Sequence, residues 1–106
     1  MFAANFTVLD SHIKHLRGQD NLSSWGSHIT IVSGKKMTNF FCKTCGTLMY
    51  RRGEAYKGRS FMRVGTVDDL NLHETMLKPQ VEQFIENRVS WLHGVDGVSQ
   101  SEGMGL

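Results

Sequence analysis

The two cysteines of the chain, Cys42 and Cys45, are the residues whose type and spacing point most directly to chemistry. Two residues separate them and Gly46 follows, so a tight turn can aim both sulfurs at one point. A pair at this spacing is typical of half a structural zinc site, which needs four ligands in a tetrahedron, with each sulfur about 2.3 Å from the metal. The spacing therefore predicts that Cys42 and Cys45 bind metal.

Three other interpretations of the cysteine pair are open from the residues alone. Two reduced cysteines can simply pack in a β-hairpin. A disulfide is typical of short secreted chains, but no signal segment is expected at the start of this sequence. A thioredoxin-like redox pair has to open a helix, whose N-terminus lowers the pKa of the first thiol. Aromatic Phe40 and Phe41 precede the pair and Thr47 follows it, which predicts a hairpin and not a helix start.

The histidines and a second chain are the other sources of metal ligands. His12 and His15 are three positions apart and could face the same way, although two polar residues on the outer face of a helix explain this spacing more simply. The remaining histidines, His28, His73 and His93, stand alone in the sequence. Two copies of the chain could instead pool their cysteines in a dimer.

The elements that must position the cysteines are predicted to be short strands. β-Branched and aromatic runs, together with apolar and polar alternation, predict strands at residues 30–32, 37–42, 47–51 and 60–67. A helix is predicted at residues 9–18, capped by Asp10 or Ser11 and ended by Gly18. The stretch after Pro79 fits a helix or an extended segment. Residues 1–96 are interpreted as the folded part, and residues 97–106, rich in Gly and Ser, as a loosely ordered tail.

Length and charge exclude several classes of protein. A chain of 106 residues has room for one domain, or for part of one. The formal net charge of +2 and the scattered Lys and Arg residues lack the dense basic stripe of a nucleic-acid-binding protein. No apolar run approaches the roughly 20 residues of a membrane-spanning helix. We therefore expect a soluble, cytoplasmic protein that binds neither nucleic acid nor membrane.

Several motifs, taken together, resemble the glutathione-dependent formaldehyde-activating enzyme family, which includes the centromere protein V domain. The central motif is residues 41–50, FCKTCGTLMY, followed by residues 64–69, VGTVDD. Further matching motifs are MFAANF at residues 1–6, LRG at 16–18, KPQVE at 78–82, SWL at 90–92 and QSEGM at 100–104. The resemblance runs from Met1 to about Met104.

The resemblance implies a mainly β, Mss4-like zinc-binding fold, here with one short helix. Members carry a structural zinc bound by an early Cys-x-Cys and a late Cys-x-x-Cys, and Cys42 and Cys45 match the late pair. A reaction-site zinc is bound by a central Cys-x-Cys-x-x-Cys cluster, which has no counterpart in this sequence. The chain therefore resembles a member that is incomplete at its N-terminus, with residues 1–96 as a partial domain.

The function implied by the resemblance is carbon–sulfur lyase chemistry on a small thiol adduct, with zinc as the metal and glutathione as the co-substrate that joins formaldehyde. The chain alone is expected to be inactive, because it lacks the reaction-site cysteines. Arg51, Arg52 and Arg63 are candidate contacts for the carboxylates of glutathione. The alternative is a non-catalytic β domain that acts through protein contacts, either as a remnant of the family domain or as a homodimer sharing zinc through Cys42 and Cys45. Trp25 and Trp91 are expected to pack in the core or at a sheet edge.

Overall fold

A computed structural model describes residues 2–29, 31 and 33–104. The chain divides into two compact units, which are described separately. The first is Asn5–Asp68, and the second contains the described residues before and after that segment. None of the helices in the described ranges is long and apolar enough to cross a lipid bilayer.

The first unit is an antiparallel sheet of five strands, in the order β1-β5-β4-β3-β2. The strands are β1 (Asn5–Leu9), β2 (Leu22–Ser27), β3 (Met37–Cys42), β4 (Leu48–Gly53) and β5 (Arg59–Arg63). Single 3-10 turns at Asp10–His12, Gln19–Asn21, Glu54–Tyr56 and Val64–Thr66 lie between or after the strands. The mainly β fold class predicted from the sequence is confirmed.

One row of side chains crosses the whole sheet on one face. The register pairs Phe6 with Met62, Met62 with Tyr50, Tyr50 with Phe40 and Phe40 with Ser24. The rings of Phe40 and Tyr50 stack with centroids 4.8 Å apart and an interplanar angle of 19°. Tyr50 is only 5% exposed, so this stacked pair is the centre of a small core.

The helix predicted at residues 9–18 is wrong. Leu9 ends β1, Asp10–His12 is a 3-10 turn, and residues 13–16 are neither helix nor strand. Leu9 pairs with Arg59, and the N–H of Asp10 donates to the carbonyl of Gly58 at 2.9 Å. An isolated helix of two turns is marginal in water, so pairing with a distant strand prevails. Asp10 caps no helix here; its carboxylate accepts a hydrogen bond from Ser60.

The strand predictions are confirmed for β3 and β4, and corrected elsewhere. Strand β5 ends at Arg63, because the chain turns at Val64–Thr66 before it reaches residue 67. Strand β2 was missed, since its sequence LSSWGS is poor in β-branched residues. The strand predicted at residues 30–32 is absent at Ile31, and its other two residues lie outside the described ones.

The predicted packing of the tryptophans is corrected too. Trp25 lies on β2, an edge strand of the sheet, and is 62% exposed. Trp91 is 65% exposed in a turn. The predicted core position is therefore wrong for both tryptophans. The predicted sheet-edge position is confirmed for Trp25.

The second unit contains the short helix, which lies far from its predicted place. Helix α1 is Leu70–Glu74, and the Asp69 carboxylate accepts from the N–H of Asn71 at 3.0 Å as its N-terminal cap. Strands β6 (Val81–Glu82) and β7 (Ser99–Gln100) pair in parallel. This pairing includes residues of the segment that was predicted to be a tail. The boundary at residue 96 stays a prediction, and residues 105 and 106 lie outside the described chain.

Glu82 holds the second unit together through its carboxylate. The carboxylate accepts from the backbone N–H of Val95 at 2.6 Å, from the Gln100 amide at 3.2 Å, and from the guanidinium of Arg88. The N–H of Val95 is the main cause that lowers the pKa of Glu82; burial, the next largest effect, opposes it, and Gln100 and Arg88 lower the pKa by smaller amounts. One side chain therefore joins three separate parts of this unit.

We expect Glu82→Gln to increase amide hydrogen exchange at residues 94–101 while leaving exchange in the sheet of the first unit unchanged. The substitution removes the charge that the three donors surround. Because the pKa of Glu82 is lowered by folding, its contribution to stability is complete above the ordinary pKa of 4.5. It is lost as the pH falls through the folded value. The control is Glu86→Gln, an exposed carboxyl in the same unit. Equal exchange in both variants would contradict this role.

Candidate metal centre and neighbouring cleft

Cys42 and Cys45 lie in the tight hairpin that joins β3 to β4. Cys42 is the last residue of β3, residues 43–45 form the turn, and Leu48 begins β4. The turn closes through Gly46, whose N–H donates to the carbonyl of Cys42 at 2.8 Å. Gly46 has φ of +78°, a left-handed conformation that glycine adopts without a Cβ clash. The predicted hairpin is confirmed, and no helix follows the pair, which argues against the thioredoxin-like interpretation.

The two sulfurs meet on one side of this turn without forming a disulfide. Both cysteines are free, with Cys42 half-buried and Cys45 exposed. The backbone N–H of Cys45 and then that of Thr44 hydrogen-bond the Cys42 sulfur and lower the pKa of its thiol, and a hydrogen bond from the Cys45 side chain adds to this. Donors aimed at a sulfur favour its thiolate form, which is the form that binds metal.

The 3-10 turn at Gln19–Asn21 holds the hairpin in place from the side. The Asn21 amide nitrogen donates to Thr44 Oγ1 at 3.0 Å and to Cys42 Sγ at 3.5 Å. The carbonyl of Asn21 accepts from the N–H of Lys43 at 2.9 Å. The position of the first sulfur is therefore determined by a contact across 21 residues of chain as well as by the turn itself.

This arrangement fits two of the four ligands of a zinc ion, and no more. The fit rests on two adjacent free sulfurs and on N–H donors that stabilise a thiolate. Among residues 2–29, 31 and 33–104, no group of three or more His, Cys, Asp or Glu side chains is placed to hold a metal. His12 and His15 therefore do not join the cysteines; His15 Nε2 lies 3.2 Å from the Tyr50 hydroxyl instead.

We expect the metal-free protein to be alkylated at Cys42 at a lower pH than an ordinary cysteine. Because backbone N–H groups lower the pKa of Cys42 from its ordinary 9.0, its thiolate forms at a lower pH. Iodoacetamide labelling against pH, followed by mass spectrometry of peptides carrying residue 42, measures this. Cys45→Ala should move the profile of Cys42 to higher pH, whereas Cys45→Ser keeps an O–H donor and should move it less. A midpoint for Cys42 at or above 9.0 would contradict the expected thiolate.

A cleft of about 230 Å³ lies on the sheet face beside this hairpin. Its walls come from the loop before β2 and from three neighbouring strands. The lining residues are His15, Gln19, Leu22, Ser23, Ser24, Phe40, Tyr50 and Arg52. Leu22, which lines the cleft, pairs with Cys42, and Phe40 lies two residues before Cys42 on β3, so the cleft borders the first cysteine.

Arg52 is fixed in the cleft by contacts on two sides. Its Nε donates to Ser60 Oγ at 2.9 Å and lies 3.4 Å from the Asp10 carboxylate. Ser60 is fully buried and donates to the same carboxylate at 2.5 Å. The guanidinium carbon lies 5.0 Å from the ring centroid of Tyr50 and 5.5 Å from that of Phe40, within the range of cation–π contacts.

The three candidate arginines are not brought together. Arg51 and Arg63 lie on the face of the sheet opposite to Arg52, because successive residues of a strand point to opposite faces. Arg51 Nε donates to Asn39 Oδ1 at 2.7 Å, and Arg63 Nη1 donates to Asn5 Oδ1 at 3.1 Å. Burial, and then the charge of Arg63, lower the pKa of Arg51. A single carboxylate cannot reach all three. The residues that position Arg52 were predicted in other roles, Asp10 as a helix cap and Ser60 as part of a strand.

A comparison with protein families gives one match. The family model described as glutathione-dependent formaldehyde-activating enzyme matches residues 1–87, which is more than half of the 106 residues. The matched range includes the cysteine hairpin and every residue that lines the cleft. No curated protein and no solved structure matches the chain.

Proposed function

The chain belongs to the glutathione-dependent formaldehyde-activating enzyme family, and we propose that it binds zinc through Cys42 and Cys45 and serves carbon–sulfur lyase chemistry on glutathione adducts. The observation that carries the metal part is the pair of free sulfurs in one turn, with two backbone N–H groups aimed at Cys42. The reaction and the thiol substrate come from the family.

The role of the two cysteines in this proposal is structural. They join the C-terminal end of β3 to the start of β4, so a metal bound there would fix the end of the hairpin that borders the cleft. Zinc would supply cross-linking of the fold; in small domains a complete structural site contributes roughly 10–16 kcal/mol of apparent binding free energy. Two sulfurs are half of such a site, so the other ligands would come from a second copy of the chain, from solvent or from another group.

The reaction that the family implies joins a thiol to formaldehyde. A sulfur–carbon bond forms, the carbonyl double bond opens, and the proton of the thiol goes to the oxygen, which gives S-hydroxymethylglutathione. A metal at such a site stabilises the thiolate or polarises the carbonyl. The 106-residue sequence contains two cysteines, and we assign both to the structural half site. We therefore propose that this chain alone does not catalyse the reaction.

Zinc content and molecular mass test the metal part together. The protein is loaded with zinc, dialysed, and analysed for metal per chain and for mass by light scattering. One zinc per two chains in a dimer supports a shared four-sulfur site, and one zinc per monomer supports a site completed by solvent or another group. Protein that retains no zinc at micromolar concentration would contradict the proposal.

Nuclear magnetic resonance with ¹³C-labelled formaldehyde and glutathione tests the reaction. We expect the adduct to form at the rate seen without protein. A rate that rises in proportion to the concentration of this chain would overturn the proposed inactivity while leaving the metal assignment intact.

A further inference from the structure

We infer that Cys42 and Cys45 form a reversible redox switch, in which oxidation joins the two sulfurs in a disulfide within the hairpin and thereby releases bound zinc. The disulfide itself requires no metal, whereas the release of zinc rests on the proposed function. Three features support the switch: the contact between the two sulfurs, the exposure of the turn and the lack of any third cysteine in the chain.

The two sulfurs are already in contact in the reduced protein. The side chain of Cys45 hydrogen-bonds the Cys42 sulfur, and the N–H of Gly46 closes the turn on the carbonyl of Cys42 at 2.8 Å. Two cysteines whose side chains point apart cannot be joined unless the backbone moves. Here the turn directs both side chains to one place, so we expect the bond to need rotation of the side chains and no rearrangement of β3 or β4.

The turn is also open to small oxidants. Residues 43–47, which include Cys45, are exposed, and Cys42 is half-buried. The oxidation of a thiol depends on such access. Hydrogen peroxide is little larger than water, so it can reach the sulfurs at this turn.

The oxidation has two steps, which together consume one molecule of hydrogen peroxide. One sulfur, as a thiolate, attacks a peroxide oxygen; the O–O bond breaks, and the departing hydroxide takes up a proton, which leaves water and a sulfenic acid. The second sulfur then attacks the first, loses its proton and displaces the hydroxyl group as a second water. The two cysteines have lost two electrons and two protons, and a sulfur–sulfur bond has formed.

No other sulfur in the same chain competes for this bond. Cys42 and Cys45 are the two cysteines among 106 residues. Within the turn, each sulfur meets the other at a much higher effective concentration than a sulfur from a second copy in solution. Closure within one chain should therefore precede both a disulfide between copies and further oxidation to sulfinic acid.

The contacts of Cys42 make the change reversible. The backbone N–H groups of Cys45 and Thr44 hydrogen-bond its sulfur, and the Asn21 amide donates to it at 3.5 Å. These donors stabilise the sulfur that leaves when a thiol attacks the disulfide, and a more stable leaving group leaves faster. The disulfide is therefore of the readily reduced kind, which suits a switch better than a permanent cross-link.

Zinc binding and the disulfide exclude each other. Both use the same two sulfurs, and only a thiolate is a metal ligand. In the reduced state the pair supplies two thiolates for zinc. In the oxidised state a covalent bond closes the hairpin and the metal is released.

Oxidation of the reduced, metal-free protein with one equivalent of hydrogen peroxide tests the disulfide. We expect the mass of the chain to fall by two hydrogen atoms, its oligomeric state to stay unchanged, and dithiothreitol to restore both thiols. Lys43 separates the two cysteines, so trypsin gives peptides 37–43 and 44–51, which stay joined only through the disulfide. Cys42→Ser and Cys45→Ser are the controls, because each keeps one sulfur: their two peptides should separate, and dimedone should trap the sulfenic acid.

The zinc-loaded protein tests the exclusion. With zinc at about ten times its dissociation constant, oxidation should be about tenfold slower, because about one-tenth of the chains then have free sulfurs. The fully oxidised protein should retain no zinc until dithiothreitol is added.

The switch is overturned if peroxide produces a disulfide between copies or only sulfinic acid, or if zinc remains bound after the disulfide has formed. Reduced protein that binds zinc but forms no disulfide within the chain would contradict the switch and leave the proposed function intact. Reduced protein that binds no zinc, while its disulfide still forms and reopens, would contradict the proposed metal site and the zinc release, and support the redox pair alone.

Discussion

Replacing Tyr50 with alanine is expected to lower the free energy of unfolding by about 3–5 kcal/mol, the usual cost of removing a buried aromatic ring. Tyr50 is 5% exposed, stacks on Phe40 at 4.8 Å and lies against Arg52. Few hydrophobic residues are buried in the described chain, namely Met37, Tyr50 and Val64, so little else can compensate. Chemical denaturation followed by circular dichroism measures the change.

Tyr50→Phe is the matched control for this substitution. It keeps the ring and its stacking and removes only the hydroxyl that lies 3.2 Å from His15. The expected loss is about 1 kcal/mol, the net value of one hydrogen bond. If alanine and phenylalanine cost the same, the ring contributes little and the stacked pair is not the centre of the core.

Replacing Cys42 with serine is expected to weaken zinc binding by about 100-fold or more. Changing a residue that only contacts a metal ligand typically weakens metal binding 10–100-fold, and this substitution removes a ligand itself. Serine keeps the size and the turn but cannot provide a thiolate. Cys45→Ser should have a similar effect, because the two sulfurs lie side by side in one turn. Competition with a chromophoric chelator gives the dissociation constants.

Thr47→Val serves as the control for the cysteine variants. The Thr47 hydroxyl lies 3.1 Å from the Cys45 sulfur, so the substitution removes a neighbour of the site without removing a ligand. We expect its zinc affinity to stay within tenfold of the parent value, the lower limit of outer-shell effects. Parent-like affinity in Cys42→Ser would place the metal elsewhere in the protein.

The sulfur hairpin could be predicted from the sequence because its information is local. Cys42, Cys45 and Gly46 are close neighbours, and the turn closes through its own backbone hydrogen bond, although Asn21 also contacts it from a distant segment. The same holds for β3 and β4, whose aromatic and β-branched residues favour extended backbone. The false helix at residues 9–18 shows the limit of local patterns, because pairing of Leu9 with Arg59 outweighs a short amphipathic stretch.

Arg52 was recognised from the sequence only as one of three similar arginines. Its distinct role depends on Ser60 and Asp10, and the contact between those two spans 50 positions of the chain. The same is true of Glu82, whose partners Val95 and Gln100 are 13 and 18 positions away. No periodicity or short motif encodes such contacts.

By itself the sequence determined the family, the mainly β class and the pair of thiols in a turn, because each of these depends on residue types at short spacing. Only the tertiary structure decided which strands pair, where the single short helix lies and which arginine faces the cleft. These depend on contacts between distant segments, where burial and the register of strand pairing outweigh local preference.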